Sequence, residues 1–187
     1  MANPLKVDYW ILGKPYTFNP EEDQILKRGL LDPYTLSPNP DEWIVLDSYI
    51  FWSVRLQSPI IIPRWFITDL ASIPRVFRWL ISVNERHRLA SLPHDFGYWL
   101  KGASGYLSEE LRATRKDWDK VLKDFCIQQG VSAWKTWAIY TAVRLGGKGA
   151  YEDSSGHLYA PTKHREWYRD TYPDLGLDTT AGAFLIL

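Results

Sequence analysis

The sequence predicts an α+β fold, with a small N-terminal antiparallel sheet, then a bundle of about four helices, then an irregular C-terminal tail. Short apolar and β-branched runs, separated by Pro- and Asn-rich turns, fill residues 1–68. Such runs are typical of antiparallel strands. After Asp69 the apolar residues recur with helical spacing instead. Strands and helices that are segregated along a chain favour an α+β fold over an alternating α/β fold.

Four apolar runs are predicted to be the strands. They are residues 10–12, 43–46, 49–54 and 60–62. The segment 18–40 is polar and rich in Pro and Asp. We therefore predict that it is a long excursion with a short helical turn.

Four helices are predicted to follow. The first is short and begins at Ser72, which can cap it. The others span about 85–100, 108–129 and 132–147, and the last two end at glycines. Amphipathic spacing in the third and fourth predicts that each packs one face on the core.

The 187 residues, 45% of them hydrophobic, are enough for one α+β domain over residues 1–147. Residues 148–187 show little periodicity and are predicted to be an irregular extension that packs on the body or on a partner. The chain ends on four apolar residues, which are predicted to bind a partner because an apolar tip is unfavourable in water. They are Phe184, Leu185, Ile186 and Leu187.

Composition narrows the class of protein. Lys+Arg and Asp+Glu both number 22, so nucleic-acid binding, which favours a basic excess, is not indicated. No apolar run approaches the roughly 20 residues of a membrane span. The single cysteine, Cys126, is predicted to be a buried apolar residue in a reducing compartment. Ten Trp and eleven Tyr indicate a very aromatic core or a surface that meets a partner.

A set of polar residues lies among apolar neighbours in the middle of the chain. Buried polar groups must pair, bind a metal or do chemistry, because leaving them unpaired costs a few kcal/mol each. The catalytic candidates are Asp69, His94, Asp95, Arg115 and Asp119.

Four of these candidates could bind one divalent metal, Zn, Mn or Mg, since imidazole and carboxylates are ligands for such ions. They are Asp69, His94, Asp95 and Asp119. A bound metal would activate a water molecule for hydrolysis, and Arg75 or Arg115 could stabilise an anionic transition state.

Each candidate also has an alternative without chemistry. Asp69 could cap the turn after the last strand. His94 could be a core histidine that is hydrogen-bonded to a backbone carbonyl. Arg115 and Asp119, four residues apart on a helix, could form an exposed ion pair worth a few tenths of a kcal/mol.

Four motifs in order resemble those of domain-of-unknown-function family 1353. They are Thr-Asp-Leu-Ala-Ser-Ile-Pro-Arg at 68–75, His-Asp-Phe-Gly-Tyr at 94–98, Arg115 with Trp118-Asp119, and Ala-Val-Arg within 140–147. The resemblance covers about residues 45–147. The family pattern has Leu where this chain has Gly97, and a small residue where it has Trp118. Neither departure removes a candidate ligand.

The resemblance implies a viral origin, because the family occurs largely in tailed bacteriophages and prophages, and it implies a shared polar centre. We expect a virion (tail or baseplate) structural or assembly component, made in the host cytoplasm, incorporated in the virion and bound to other phage structural proteins. The extensions outside the matched core favour this hypothesis, since they are suited to packing. The alternative is a metal-dependent hydrolase that acts on a host or cell-wall component.

Overall fold

The computed structural model describes residues 7–11, 13–70, 86–102, 113–152 and 159–180. Strands occupy the first part of the chain and helices the second, so the predicted α+β class is confirmed. Within these ranges, no helix has both the length and the hydropathy that crossing a membrane requires.

Eight strands occur in the described residues. They are β1 (Val7–Ile11), β2 (Lys14–Phe18), β3 (Gln24–Lys27), β4 (Leu30–Pro33), β5 (Trp43–Asp47), β6 (Tyr49–Ser53), β7 (Ser58–Ile62) and β8 (Ile67–Thr68). They form three antiparallel sheets in this part of the chain, with the strand orders β1-β2, β3-β6-β7 and β4-β5-β8. Each of the four predicted apolar runs overlaps a strand, namely β1, β5, β6 and β7.

The predicted excursion over 18–40 is wrong where it contains β3 and β4. Both are edge strands, paired on one side only, with β6 and β5 respectively. Their side chains are partly or wholly exposed. Half-exposed edge strands tolerate polar residues and Pro. They therefore lack the continuous apolar run from which a strand is predicted.

Four helices occur in the described residues: α1 (Arg86–Gly102), α2 (Arg115–Gln128), α3 (Ala133–Glu152) and α4 (Thr162–Thr171). A 3-10 turn at Pro173–Leu175 follows α4. The helix predicted to begin at Ser72 lies outside the described residues, as does the predicted start of the third helix near residue 108. In the structure α2 begins after Thr114, whose hydroxyl accepts a bond from the amide of Asp117 while the Asp117 carboxylate accepts from the amide of Thr114. This reciprocal cap satisfies two otherwise unpaired donors.

The last predicted helix, over 132–147, corresponds to α3. Its predicted end at residues 146–147 is wrong, since α3 continues to Glu152. Gly147 lies inside the helix, where its bare backbone leaves room for the ring of Tyr98. A β-carbon at this position would lie 2.7 Å from the Tyr98 hydroxyl oxygen. The glycine is therefore a packing residue inside the helix.

The main core lies between the β3-β6-β7 sheet and helices α1 to α3. Phe51 of β6 packs edge-on against Phe125 of α2, with ring centroids 5.4 Å apart. Cys126 is buried in the same cluster, as predicted, and burial raises the pKa of its thiol to about 12.

A second core cluster fixes the C-terminal segment to the body. Tyr168 of α4 is buried beside Trp65, and its hydroxyl donates to the carbonyl of Pro33 over 3.1 Å. The Trp65 indole N–H donates to the carbonyl of Asp178 over 2.8 Å. Residues 159–180 thus pack on the β4-β5-β8 side of the protein. The four apolar residues predicted to bind a partner, 184–187, lie outside the described residues.

Candidate functional site

The candidate site lies where β8, α1, α2 and α3 meet. α1 carries His94 and Asp95, α2 carries Asp119, and α3 carries Arg144. Thr68, the last residue of β8, closes the site at the sheet end. A chain of hydrogen bonds connects these five side chains.

His94 is buried at the centre, and each nitrogen of its ring faces a carboxylate. Nδ1 lies 3.2 Å from Oδ1 of Asp95, and Nε2 lies 3.1 Å from Oδ1 of Asp119. Burial by itself lowers the pKa of His94. The hydrogen bonds to Asp119 and Asp95 and the charges of these carboxylates outweigh burial, so the pKa is raised from 6.5. The raised pKa and the two facing carboxylates favour the imidazolium form, in which both ring nitrogens donate.

Asp119 is fully buried and accepts three hydrogen bonds. His94 and the Tyr98 hydroxyl donate to Oδ1, and Nη1 of Arg144 donates to Oδ2 over 2.5 Å. Burial alone raises the pKa of Asp119. The bonds from His94, Tyr98 and Arg144 reverse this effect, and the pKa of the carboxyl lies below its ordinary 3.8. Asp119 is thus an anion that His94, Tyr98 and Arg144 hold in place.

Tyr98 is one turn along α1 from His94, so both side chains face α2 and α3. Its ring centroid lies 4.1 Å from that of His94 and 5.1 Å, edge-on, from that of Tyr151 on α3. Burial and the bond to Asp119 raise its pKa, so the hydroxyl keeps its proton and acts as a donor. The close approach to Gly147 allows this ring to fit between α1 and α3.

The turn after β8 completes the site on the other side of His94. The Thr68 hydroxyl donates to Oδ2 of Asp95 over 2.6 Å and accepts from the amide of Leu70 over 3.0 Å. The Ser91 hydroxyl of α1 donates to the carbonyl of Leu70 over 2.9 Å. Leu70 is buried and has a φ of 51°, in the left-handed region that a leucine rarely adopts. Asp69 sits between Thr68 and Leu70 in this constrained turn and is partly buried.

The family model described as "Protein of unknown function (DUF1353)" matches residues 43–143, just over half of the chain. The chain belongs to this family. The matched region runs from β5 into α3 and contains Thr68, Asp95, His94 and Asp119, while Arg144 lies one residue beyond it. No curated protein matches the chain. No solved structure matches it either.

Two of the alternatives without chemistry are wrong for this DUF1353 protein. The ring nitrogens of His94 face carboxylates rather than a backbone carbonyl. Asp119 is fully buried and is not part of an exposed pair with Arg115. The guanidinium that bonds it is that of Arg144, while Nη2 of Arg115 donates to the carbonyl of Arg144 over 3.2 Å.

The geometry of the DUF1353 site is that of an ion network. Among the described residues, no group of three or more His, Cys, Asp or Glu side chains is arranged to hold a metal ion. The contacts of His94 with Asp95 and Asp119 are 3.1–3.2 Å long, which is a hydrogen-bond distance. Both nitrogens are already engaged. The metal site over Asp69, His94, Asp95 and Asp119 stays a prediction for metal analysis to test.

The sequence argument missed three members of the network, namely Thr68, Tyr98 and Arg144. A signal was available for each. Thr68 immediately precedes Asp69, Tyr98 follows His94 by four residues on one helix, and Arg144 is the arginine of the Ala-Val-Arg motif. A polar residue that shares a motif with a candidate site residue could itself have been predicted to be a hydrogen-bond partner of the site.

Proposed function

We propose that this protein is a structural or assembly component of a bacteriophage particle, in the tail or baseplate. In this proposal the His/Asp network holds the helices together and performs no reaction. The observation that carries the proposal is the saturation of His94, whose two nitrogens both bond carboxylates inside a buried site. A catalytic imidazole needs one nitrogen that can exchange a proton with a substrate.

A structural role also fits the positions that the network connects. It bonds α1 to β8 through Thr68 and Asp95, α1 to α2 through His94 and Asp119, and α2 to α3 through Arg144. Polar networks that are fully satisfied fix one arrangement of the elements around them, because every shifted arrangement leaves a buried charge unpaired. A protein that must present a fixed surface to neighbours benefits from such a centre.

The exposed tryptophans support the proposal that this protein binds partner proteins. Trp134 and Trp137 of α3 and Trp167 of α4 are exposed, and Trp is enriched at protein–protein interfaces. The phage setting comes from the family resemblance. It includes synthesis in the host cytoplasm, incorporation in the virion and contact with other phage structural proteins.

The proposal is tested in a phage or prophage that carries the gene. We expect mass spectrometry of purified particles to detect the protein in a fixed ratio to a tail protein. We expect deletion of the gene to give incomplete particles in electron micrographs, and the wild-type gene supplied from a plasmid to restore them. Normal, infectious particles that lack the protein would exclude a structural role, and normal particles after deletion would exclude an assembly role.

The second candidate function is a metal-dependent hydrolase that acts on a host or cell-wall component. One observation favours it: Asp69 lies next to Leu70, whose left-handed backbone is a strained conformation of the kind that clusters at active sites. The test is metal analysis of the purified protein, together with incubation on peptidoglycan with Zn, Mn or Mg added. Bound metal and released fragments, both lost in Asp119→Asn, would favour the hydrolase over the structural network.

A further inference from the structure

Arg115 lies beside the His/Asp network but belongs to none of its ion pairs. It is the first residue of α2, one turn before Asp119, and it is partly buried. Nη2 donates to the carbonyl of Arg144 over 3.2 Å, whereas Nη1 is buried and has no hydrogen-bond partner among the described residues. A buried donor on a charged group is costly when it makes no bond. This guanidinium is therefore suited to an acceptor that comes from outside the chain.

Arg144 brings a second guanidinium to the same place. Its Nη1 donates to Asp119, and its carbonyl is the acceptor of Arg115. The side chain of Arg144 is 30% exposed, so a small molecule or group could approach from this side. We call the region formed by Arg115, Arg144, Tyr98 and Tyr151 the basic corner.

Tyr98 and Tyr151 surround the Arg115 guanidinium with aromatic rings. The two rings meet edge-on, with centroids 5.1 Å apart. Burial raises the pKa of both hydroxyls, and the nearby Arg115 opposes this rise in each. The Tyr98 hydroxyl donates its proton to Asp119, and Nη1 of Arg115 has no hydrogen-bond geometry with it. In such apolar surroundings a hydrogen bond to a charged group is stronger than in water.

The basic corner carries more positive than negative charge. Arg115 and Arg144 have one carboxylate between them, that of Asp119. Asp117 is close to Arg115 in sequence, but its carboxylate accepts from the amide and the hydroxyl of Thr114 at the start of the helix. The corner therefore lacks about one negative charge, which a ligand could supply.

We propose that the basic corner binds a carboxylate group from outside the chain. Nη1 of Arg115 is the buried donor, and Arg144 supplies a second positive charge on the solvent side. A carboxylate is favoured over phosphate because it is planar, fits the fork of a guanidinium and carries a single charge. Its source is either a small organic acid or an acidic side chain of a partner protein. The group is bound and not transformed, so the proposal does not rest on the function of the network.

The first test is thermal unfolding at pH 7 in about 100 mM sodium acetate and in the same concentration of sodium chloride. Acetate that binds only the folded protein raises its unfolding temperature. We expect the wild type to unfold several degrees higher in acetate than in chloride, and Arg115→Gln to unfold at the same temperature in both salts. Arg55→Gln is the matched control and should respond like the wild type, because Arg55 also contacts α2 but is paired with Asp124 over 2.7 Å.

The second test locates the acetate by ¹H–¹⁵N correlation of the arginine Nε–H groups. The signals of Arg115 and Arg144 should move with added acetate and saturate in roughly the millimolar range, while that of Arg55 stays in place. A capped glutamate tripeptide then distinguishes the two sources, with a capped glutamine tripeptide as its control. Binding of the glutamate peptide about tenfold tighter than acetate would indicate a partner protein, and equal binding a small acid.

Three results would overturn the proposal. The first is a wild type with equal unfolding temperatures in acetate and chloride and an unmoved Arg115 signal, which would mean that water satisfies Nη1. The second is an Arg115→Gln variant that circular dichroism shows to be folded and that gains as much from acetate as the wild type. The third is tighter binding of inorganic phosphate than of acetate, which would exclude the assignment to a carboxylate.

Discussion

Gly97 of α1 lies directly against the indole ring of Trp118 of α2, and a β-carbon at position 97 would overlap the ring atoms. These are the two positions at which the sequence analysis noted a departure from the motifs that this chain resembles. The Trp118 ring fits because position 97 carries no side chain. The two residues together fill the contact between the helices that carry His94 and Asp119.

This pairing predicts non-additive stabilities. Gly97→Leu should prevent stable packing, because Trp118 occupies the space, and Trp118→Ala should cost about 3–5 kcal/mol through the cavity it leaves. The double variant should be more stable than the sum of the single changes predicts, by about 1–3 kcal/mol. Urea unfolding followed by circular dichroism measures all three. Strictly additive values would show that the two positions do not compensate.

Removing the charge of Asp119 should be strongly destabilising. Asp119→Asn leaves the His94 imidazolium and the Arg144 guanidinium without their shared anion, and breaking a buried pair costs about 3–5 kcal/mol. Asp117→Asn on the same helix, which weakens only the exposed cap with Thr114, should cost about 1 kcal/mol. The measurement is the free energy of unfolding of both variants at pH 7. Similar small losses would mean that the network contributes little.

The network should make stability depend on pH in a defined direction. The pKa of His94 is raised from 6.5 in the folded state, so its contribution is complete below that value and is lost as the pH rises through the folded pKa. The pKa of Asp119 is lowered from 3.8, so its contribution is present above that value and is lost as the pH falls through the folded pKa.

We therefore expect the free energy of unfolding of the wild type, minus that of His94→Gln, to decline as the pH rises from 6.5 through the folded pKa of His94. Urea titrations of both proteins at a series of pH values measure this difference. A difference that increases with pH would mean that His94 is neutral in the folded protein.

Two glycines of α3 should respond oppositely to the same change. Gly149→Ala should stabilise the protein by up to about 1 kcal/mol, because Ala is the better helix former and the site is open. Gly147→Ala should destabilise it, because the new methyl group meets the Tyr98 hydroxyl that bonds Asp119. Thermal unfolding of both variants tests this pair. An equal gain from both would show that Tyr98 has room to move.

The sequence predicted the parts of the fold that depend on local patterns. Continuous apolar runs identified the strands β5, β6 and β7, and helical spacing identified α1. Strands β3 and β4 were not predicted, because these half-exposed edge strands contain no such apolar run. The end of α3 was misplaced because Gly147 serves a contact with Tyr98, which is distant in sequence, rather than a helix stop.

The site shows the same division between local and distant information. The motifs identified His94, Asp95 and Asp119 correctly as members of one centre. The four-residue spacing offered Arg115 as one possible partner of Asp119, whereas in the structure Arg144, 25 residues further along the chain, donates to it. Pairing across helices depends on how they cross, and a single sequence does not encode that in its spacing.

The most direct test of the central claim is the protonation state of His94, measured by long-range ¹H–¹⁵N correlation on the ¹⁵N-labelled protein at pH 7. The ion network predicts an imidazolium, with both ring nitrogens protonated and their shifts unchanged by chelator or by added zinc. A ring with one unprotonated nitrogen, or one whose shifts move when zinc is added, would contradict the account and would make His94 available as a metal ligand or a catalytic base.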